Sequence, residues 1–170
     1  MNKDLTIFLL ICWIAFCLVN LIKGIFHEFK ENKIKLNCTY SKLIQEVIYY
    51  CAPVYKQQNI KYYPLYQVSK STSKPNRLGC YILEKQKIVI YINNFEGSES
   101  ERIKNIIHCI LHEIEHHISH LTNPDFKNYD IYTKKTNYSS NIFEISANRF
   151  ADKKLNDCIK QLRQKGILTS

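Results

Sequence analysis

His112-Glu113-Ile114-Glu115-His116 sets two imidazoles four residues apart with a carboxylate beside the first, the HExxH arrangement. On a helix of 3.6 residues per turn, positions i and i+4 share a face, so His112 and His116 can bind one Zn2+ together. Glu113 stands next to that face, placed to take a proton from a water that the ion has acidified to a pKa of about 7. Attack of that water on a polarised carbonyl is amide hydrolysis. Five of the six histidines fall between His108 and His120, so the competing reading is a histidine-rich helix face that holds metal loosely or not at all.

A hydrolytic zinc site needs a third protein ligand and one open position for water. The metzincin continuation would put glycine at Ser119 and histidine at Thr122, and neither is present. His120 extends the four-residue series but lies too far along a straight helix axis to close a tetrahedron, and is expected at the surface. The better candidate is Glu144, which borders the apolar face of a second helix. Ala147 and Ala151, one and two turns further on, leave room for close packing against the motif helix. The alternative for Glu144 is an ordinary solvated carboxylate at a helix start.

Two helices must position these groups. The first is expected to start at Ser98, where hydroxyls and acids suit a helix N-terminus, and to stop before Pro124. Ile103, Ile106, Ile107, Ile110, Ile114, Ile118 and Leu121 recur at helical spacing and form its apolar face. The second is capped by Ser139, Ser140 or Asn141 and buries Phe143, Ala147, Phe150, Ala151, Leu155, Cys158 and Leu162, with Gly166 as the stop. Cys80-Tyr81-Ile82-Leu83 and Ile88-Val89-Ile90-Tyr91-Ile92 read as two strands of a hairpin joined by Glu84-Lys85-Gln86-Lys87. Ser41 is a candidate cap for a supporting helix that runs to Pro53. The polar segment Thr122 to Asn141 is long for a connection and is expected to act as a flap over the cleft, with Tyr129, Tyr132 or Tyr138 as candidate oxyanion donors.

These residues carry a family resemblance. The motif helix followed by Glu144-Ile145-Ser146-Ala147-Asn148-Arg149-Phe150-Ala151 resembles the ImmA/IrrE-type metallopeptidases, which pair HExxH with a downstream E-x-x-A-N-x-F-A run. The similar stretch spans roughly Cys80 to Leu155. The resemblance implies His112, His116 and Glu144 as zinc ligands, Glu113 as general base, and a regulator such as a repressor or antitoxin as the protein substrate. It also implies an α+β, zincin-like domain, with a small antiparallel sheet packed on the HExxH helix and on the second ligand-bearing helix.

Ahead of this domain, Leu5 to Ile22 is apolar apart from Thr6 and Asn20, long enough to cross a bilayer as a helix. A signal peptide is the rival reading, but no small-residue cleavage site follows and Lys23 comes directly after the run. Lys3 alone precedes the span, whereas Lys23, Lys30, Lys33 and Lys35 follow it, so the bulk of the chain is expected on the cytoplasmic side of the membrane. Seven cysteines without metal-knuckle spacing fit reduced thiols there. The resulting division is 1–26 transmembrane anchor, 27–38 juxtamembrane linker and 39–170 metallopeptidase-like domain. The net charge of +9 comes from dispersed lysines, which suit anionic headgroups near the anchor, and no nucleic-acid partner is expected.

The leading expectation is a single-pass membrane-anchored zinc endopeptidase of the gluzincin kind that cuts a protein partner. The alternatives are a non-catalytic anchored metal-binding protein and a plain interaction domain. A fourth protein ligand, with His120, Asp125 and Asp130 as the nearby candidates, would favour a closed structural metal site.

Overall fold

Ser98 and Glu101 begin the longest helix with a capping box: the Ser98 hydroxyl accepts from the Glu101 amide, and Glu101 Oε2 accepts from the Ser98 amide at 2.8 Å. This helix runs Glu99–Thr122 and ends where Asn123 and Pro124 break it. The structure, a computed structural model, describes residues 34–72, 76–135 and 140–169, together with Trp13, Ile14, Phe16, Leu18 and Val19. Those five are helical, but the anchor read at 5–22 lies otherwise outside the described residues. Among the described residues no helix is long and apolar enough to cross a membrane.

The described elements from Ile34 onward are β1 (Lys35–Leu36), α1 (Tyr40–Tyr50), α2 (Ala52–Gln57), β2 (Leu65–Ser69), β3 (Gly79–Ile82), β4 (Lys87–Tyr91), α3 (Glu99–Thr122), α4 (Tyr129–Lys135), α5 (Ile142–Gln164) and β5 (Leu168–Thr169). The class is α+β. Ile34 to Thr169 form one compact unit, so the region read as linker divides. Ile34 is buried, and β1 pairs antiparallel with β5 through Lys35↔Thr169 and Leu36↔Leu168, which ties residues 34–36 to the end of the chain.

The sheet contains the expected hairpin but is mixed, not purely antiparallel. Strand order is β2-β4-β3: β3 and β4 are antiparallel as expected, but β2 adds in parallel on the other side of β4, with Tyr66↔Ile88 and Val68↔Ile90 in register. Residues 65–69 close the Tyr-rich stretch, where the alternation of Tyr66-Gln67-Val68-Ser69 is too short to mark a strand alone; pairing with the buried β4 makes them one. The hairpin connection is a 3-10 turn, Leu83–Lys85, closed by Gln86 in the left-handed region at φ 45°.

Ile103, Ile106, Ile107, Ile110, Ile114 and Ile118 of α3 are buried as their spacing predicts, whereas Leu121, in the last turn, is exposed. Thr39, not Ser41, caps α1, accepting from the Lys42 amide at 3.2 Å. Pro53 does not end a helix but occupies the first turn of α2, where its missing N–H costs nothing. Asn141 caps α5 by accepting from the Phe143 amide at 3.0 Å, and Gly166 at φ 68° ends it.

Sheet and motif helix meet at Gly79. A Cβ there would lie 2.7 Å from Cys109 Sγ and 3.2 Å from Glu113 Oε1, so only glycine lets β3 approach α3 this closely. Gly79→Ala is therefore expected to destabilise the fold by about 1–3 kcal/mol through overpacking. Urea unfolding of Gly79→Ala, Cys109→Ala and the pair checks this: the double variant should lose less than the sum of the singles, and strict additivity would count against the contact.

Candidate metal centre

α3 and α5 are both regular helices with one residue per turn facing the other at four-residue spacing. His108, His112 and His116 lie along α3, and Asp152, Asn148 and Glu144 lie in reverse order along α5. The fully buried Ala147 and Ala151 leave room for the two backbones to come together. Three rungs result. His108 Nε2 donates to Asp152 Oδ1 at 3.0 Å, His112 Nδ1 donates to Asn148 Oδ1 at 3.0 Å, and His116 Nε2 faces Glu144 Oε1 at 3.4 Å.

Glu144 also reaches His112, with Oε2 3.1 Å from Nε2, and the two Nε2 atoms are 3.0 Å apart. His112, His116 and Glu144 thus form a buried group whose donor atoms all lie within 4.8 Å of one another. Donors about 2.0–2.1 Å from one tetrahedral centre lie about 3.3 Å apart, so these separations suit a single small cation. Two imidazole lone pairs and a carboxylate aimed at one point need a proton or a cation between them, which is the chemistry of a metal site. The three residues expected to converge are brought together.

Glu113 lines the same cavity, of about 830 Å³, and is buried. Burial raises its pKa, an effect that the neighbouring His116 and His112 oppose. Glu144 goes the other way. Burial alone would raise its pKa as well, but the facing His112 and His116 rings and the hydrogen bond from Tyr129 outweigh it and hold the carboxyl well below the usual range.

The segment between the helices does border the cavity. Pro124–Asn128 is a 3-10 turn that buries Phe126, which stacks on Tyr129 at 5.2 Å and lies 5.9 Å from His116, ring centre to ring centre. Phe126, Tyr129, Asp130 and Thr133 form this wall, facing Leu78, Gly79, Cys80 and Tyr81 from the sheet side. Of the two described candidate tyrosines, Tyr129 is the one at the site, its hydroxyl donating to Glu144 Oε1. Tyr132 packs edge-on against Phe143, and Tyr138 lies outside the described residues.

His120 is not a plain surface residue. It is half-buried, with Nδ1 2.8 Å from the Tyr81 hydroxyl and its ring against Phe126, because β3 brings Tyr81 over that turn of α3. It does not join the ligand group, and Asp125 and Asp130 are exposed. Asn148 and Arg77 were not singled out in the sequence. Asn148 sits within the E-x-x-A-N run one turn after Glu144, so its spacing was a usable signal, whereas Arg77 reaches the cavity only through the path of the chain into β3. The chain matches no protein-family model, no curated protein and no solved structure.

Next to the His/Glu group, His117 is fully buried, its Nδ1 3.0 Å from the Tyr55 hydroxyl and its Nε2 without a hydrogen-bond partner among the described residues. Burial lowers its pKa from 6.5 to about 4. A histidine neutral in the fold and protonated when unfolded stabilises fully above its unfolded pKa, and that stability is lost as pH falls. Unfolding free energy is expected to decline by about 1.4 kcal/mol per pH unit between about 6.5 and 4 on this account. His117→Gln should flatten that slope in urea titrations across the window; an unchanged slope would assign it elsewhere.

Proposed function

We propose that this chain is a zinc-dependent endopeptidase of zincin-like fold and gluzincin ligand set. The observation that carries the reading is the convergence of His112 Nε2, His116 Nε2 and the Glu144 carboxylate at tetrahedral spacing, with Glu113 in the same cavity. Three protein donors leave one position for solvent, as a hydrolytic site requires. Zinc, when bound, would supply Lewis acidity toward the carbonyl and an acidified water.

The chain's own residues divide the remaining work. Glu113, its pKa raised by burial, takes the proton of the attacking water and passes it to the leaving amine. Tyr129, already at the ligand group, is the donor best placed to stabilise the oxyanion of the tetrahedral intermediate. β3 is an edge strand whose Gly79, Cys80 and Tyr81 border the cavity. An extended substrate segment can add to that edge, held by main-chain hydrogen bonds. The resemblance to ImmA/IrrE-type peptidases suggests a repressor or antitoxin as substrate, and the apolar run 5–22 suggests that cutting occurs at the cytoplasmic face of a membrane.

Metal analysis and cleavage of an unfolded protein substrate such as casein test this together. The full chain should carry about one zinc, lost in His112→Ala and in Glu144→Ala. Glu113→Gln should keep the zinc and lose cleavage, and Tyr129→Phe should keep it and lose about 100-fold in kcat. A zinc-loaded Glu113→Gln variant that cuts at the wild-type rate would remove the proposed base.

A further inference from the structure

An imidazole can offer a metal either ring nitrogen, and which one is free depends on what the other is bonded to. In His112, Nε2 is the nitrogen turned toward the ligand group, 3.1 Å from Glu144 Oε2 and 3.0 Å from His116 Nε2. Nδ1 lies 3.0 Å from Oδ1 of Asn148. An amide oxygen only accepts, so it holds the proton of neutral His112 on Nδ1 and leaves the lone pair on Nε2. His116 shows the contrast: its Nδ1 is buried with no hydrogen-bond partner among the described residues. Asn148 is therefore the residue that fixes the orientation and tautomer of one imidazole of the pair.

The chemical type of that acceptor also matters. On the outer rungs the α5 partners are carboxylates, Asp152 opposite His108 and Glu144 opposite His116. The middle rung alone carries an amide. Glu113 and Glu144 already place two buried carboxyl groups beside the imidazoles, with the exposed Asp130 on the cavity wall, and another beside His112 would add a further negative charge in a place poorly screened by water.

We infer that Asn148 is a positioning residue of the metal site: its side-chain oxygen locks His112 with Nε2 free for the ion, and does so without adding charge. This rests on the metal-centre reading above. An acceptor behind a ligating histidine typically accounts for about 10- to 100-fold in metal affinity.

The test is zinc affinity of the full-length chain by chelator competition, in the wild type, Asn148→Leu and Asn148→Asp. Leucine fills a similar volume and cannot accept a hydrogen bond; aspartate can. Asn148→Leu is expected to bind zinc about 10- to 100-fold more weakly, and Asn148→Asp at least as tightly as the wild type. Equal affinity in Asn148→Leu and the wild type overturns the inference. Equal weakening in the leucine and aspartate variants also overturns it, because packing would then account for the loss. If Asn148→Leu loses its helical circular dichroism, Asn148→Ala takes its place in the same comparison. A wild-type chain that takes up no zinc sinks the metal-centre reading itself, a failure visible before any variant is made.

Discussion

Two helices of equal pitch packed antiparallel can meet in only a few registers, and the chemistry of this chain depends on one of them. With His116 opposite Glu144, the repeat of each helix puts His112 opposite Asn148 and His108 opposite Asp152. The register is not set by these polar contacts alone. Ala147 and Ala151 are fully buried on the facing side of α5, so the backbones approach closely there and any larger side chain would push all three rungs apart together. Glu115 adds a tie outside the ligand group, accepting from Ser146 at 3.1 Å and from Ser119 at 3.4 Å.

That register then separates two glutamates that share a cavity. Glu144 has imidazoles and a tyrosine hydroxyl at its oxygens, and these outweigh the cost of burying a carboxylate, so it remains ionised. Glu113 is one residue round the helix from His112, and burial dominates there. A group that stays charged suits a metal ligand, and one whose proton is easier to keep suits a base that must later act as an acid. The same residue type meets two environments because the two helices carry each glutamate to a different wall of the cavity.

Much of this was legible in the sequence because it is helical and local. A capping box, isoleucines at three- and four-residue spacing and a proline define α3, while asparagine, alanines and glycine define α5. The pairing of Glu144 with the histidines was inferable because the small residues beside it point the helix face. What was hidden depends on contacts distant in sequence. β2 alternates over only four residues, Tyr66 to Ser69, and is held as a strand by the buried β4 beside it. β1 and β5 are two residues each and exist because the ends of the unit meet. His120 lay on the expected line of the helix, but nothing local announces that Tyr81 will cover it.

The hidden strand bears on the site as well as on the fold. With β2 on one side and β3 on the other, β4 has no free edge, and the two edges left are the outer sides of β2 and β3. Only β3 borders the cavity, and it does so at Gly79, where the missing side chain lets the strand lie against Cys109 and Glu113. An extended chain added to β3 would thus run beside Glu113 rather than across open surface. Leu65–Ser69, far from any motif, buttresses the strand pair that holds that edge in place.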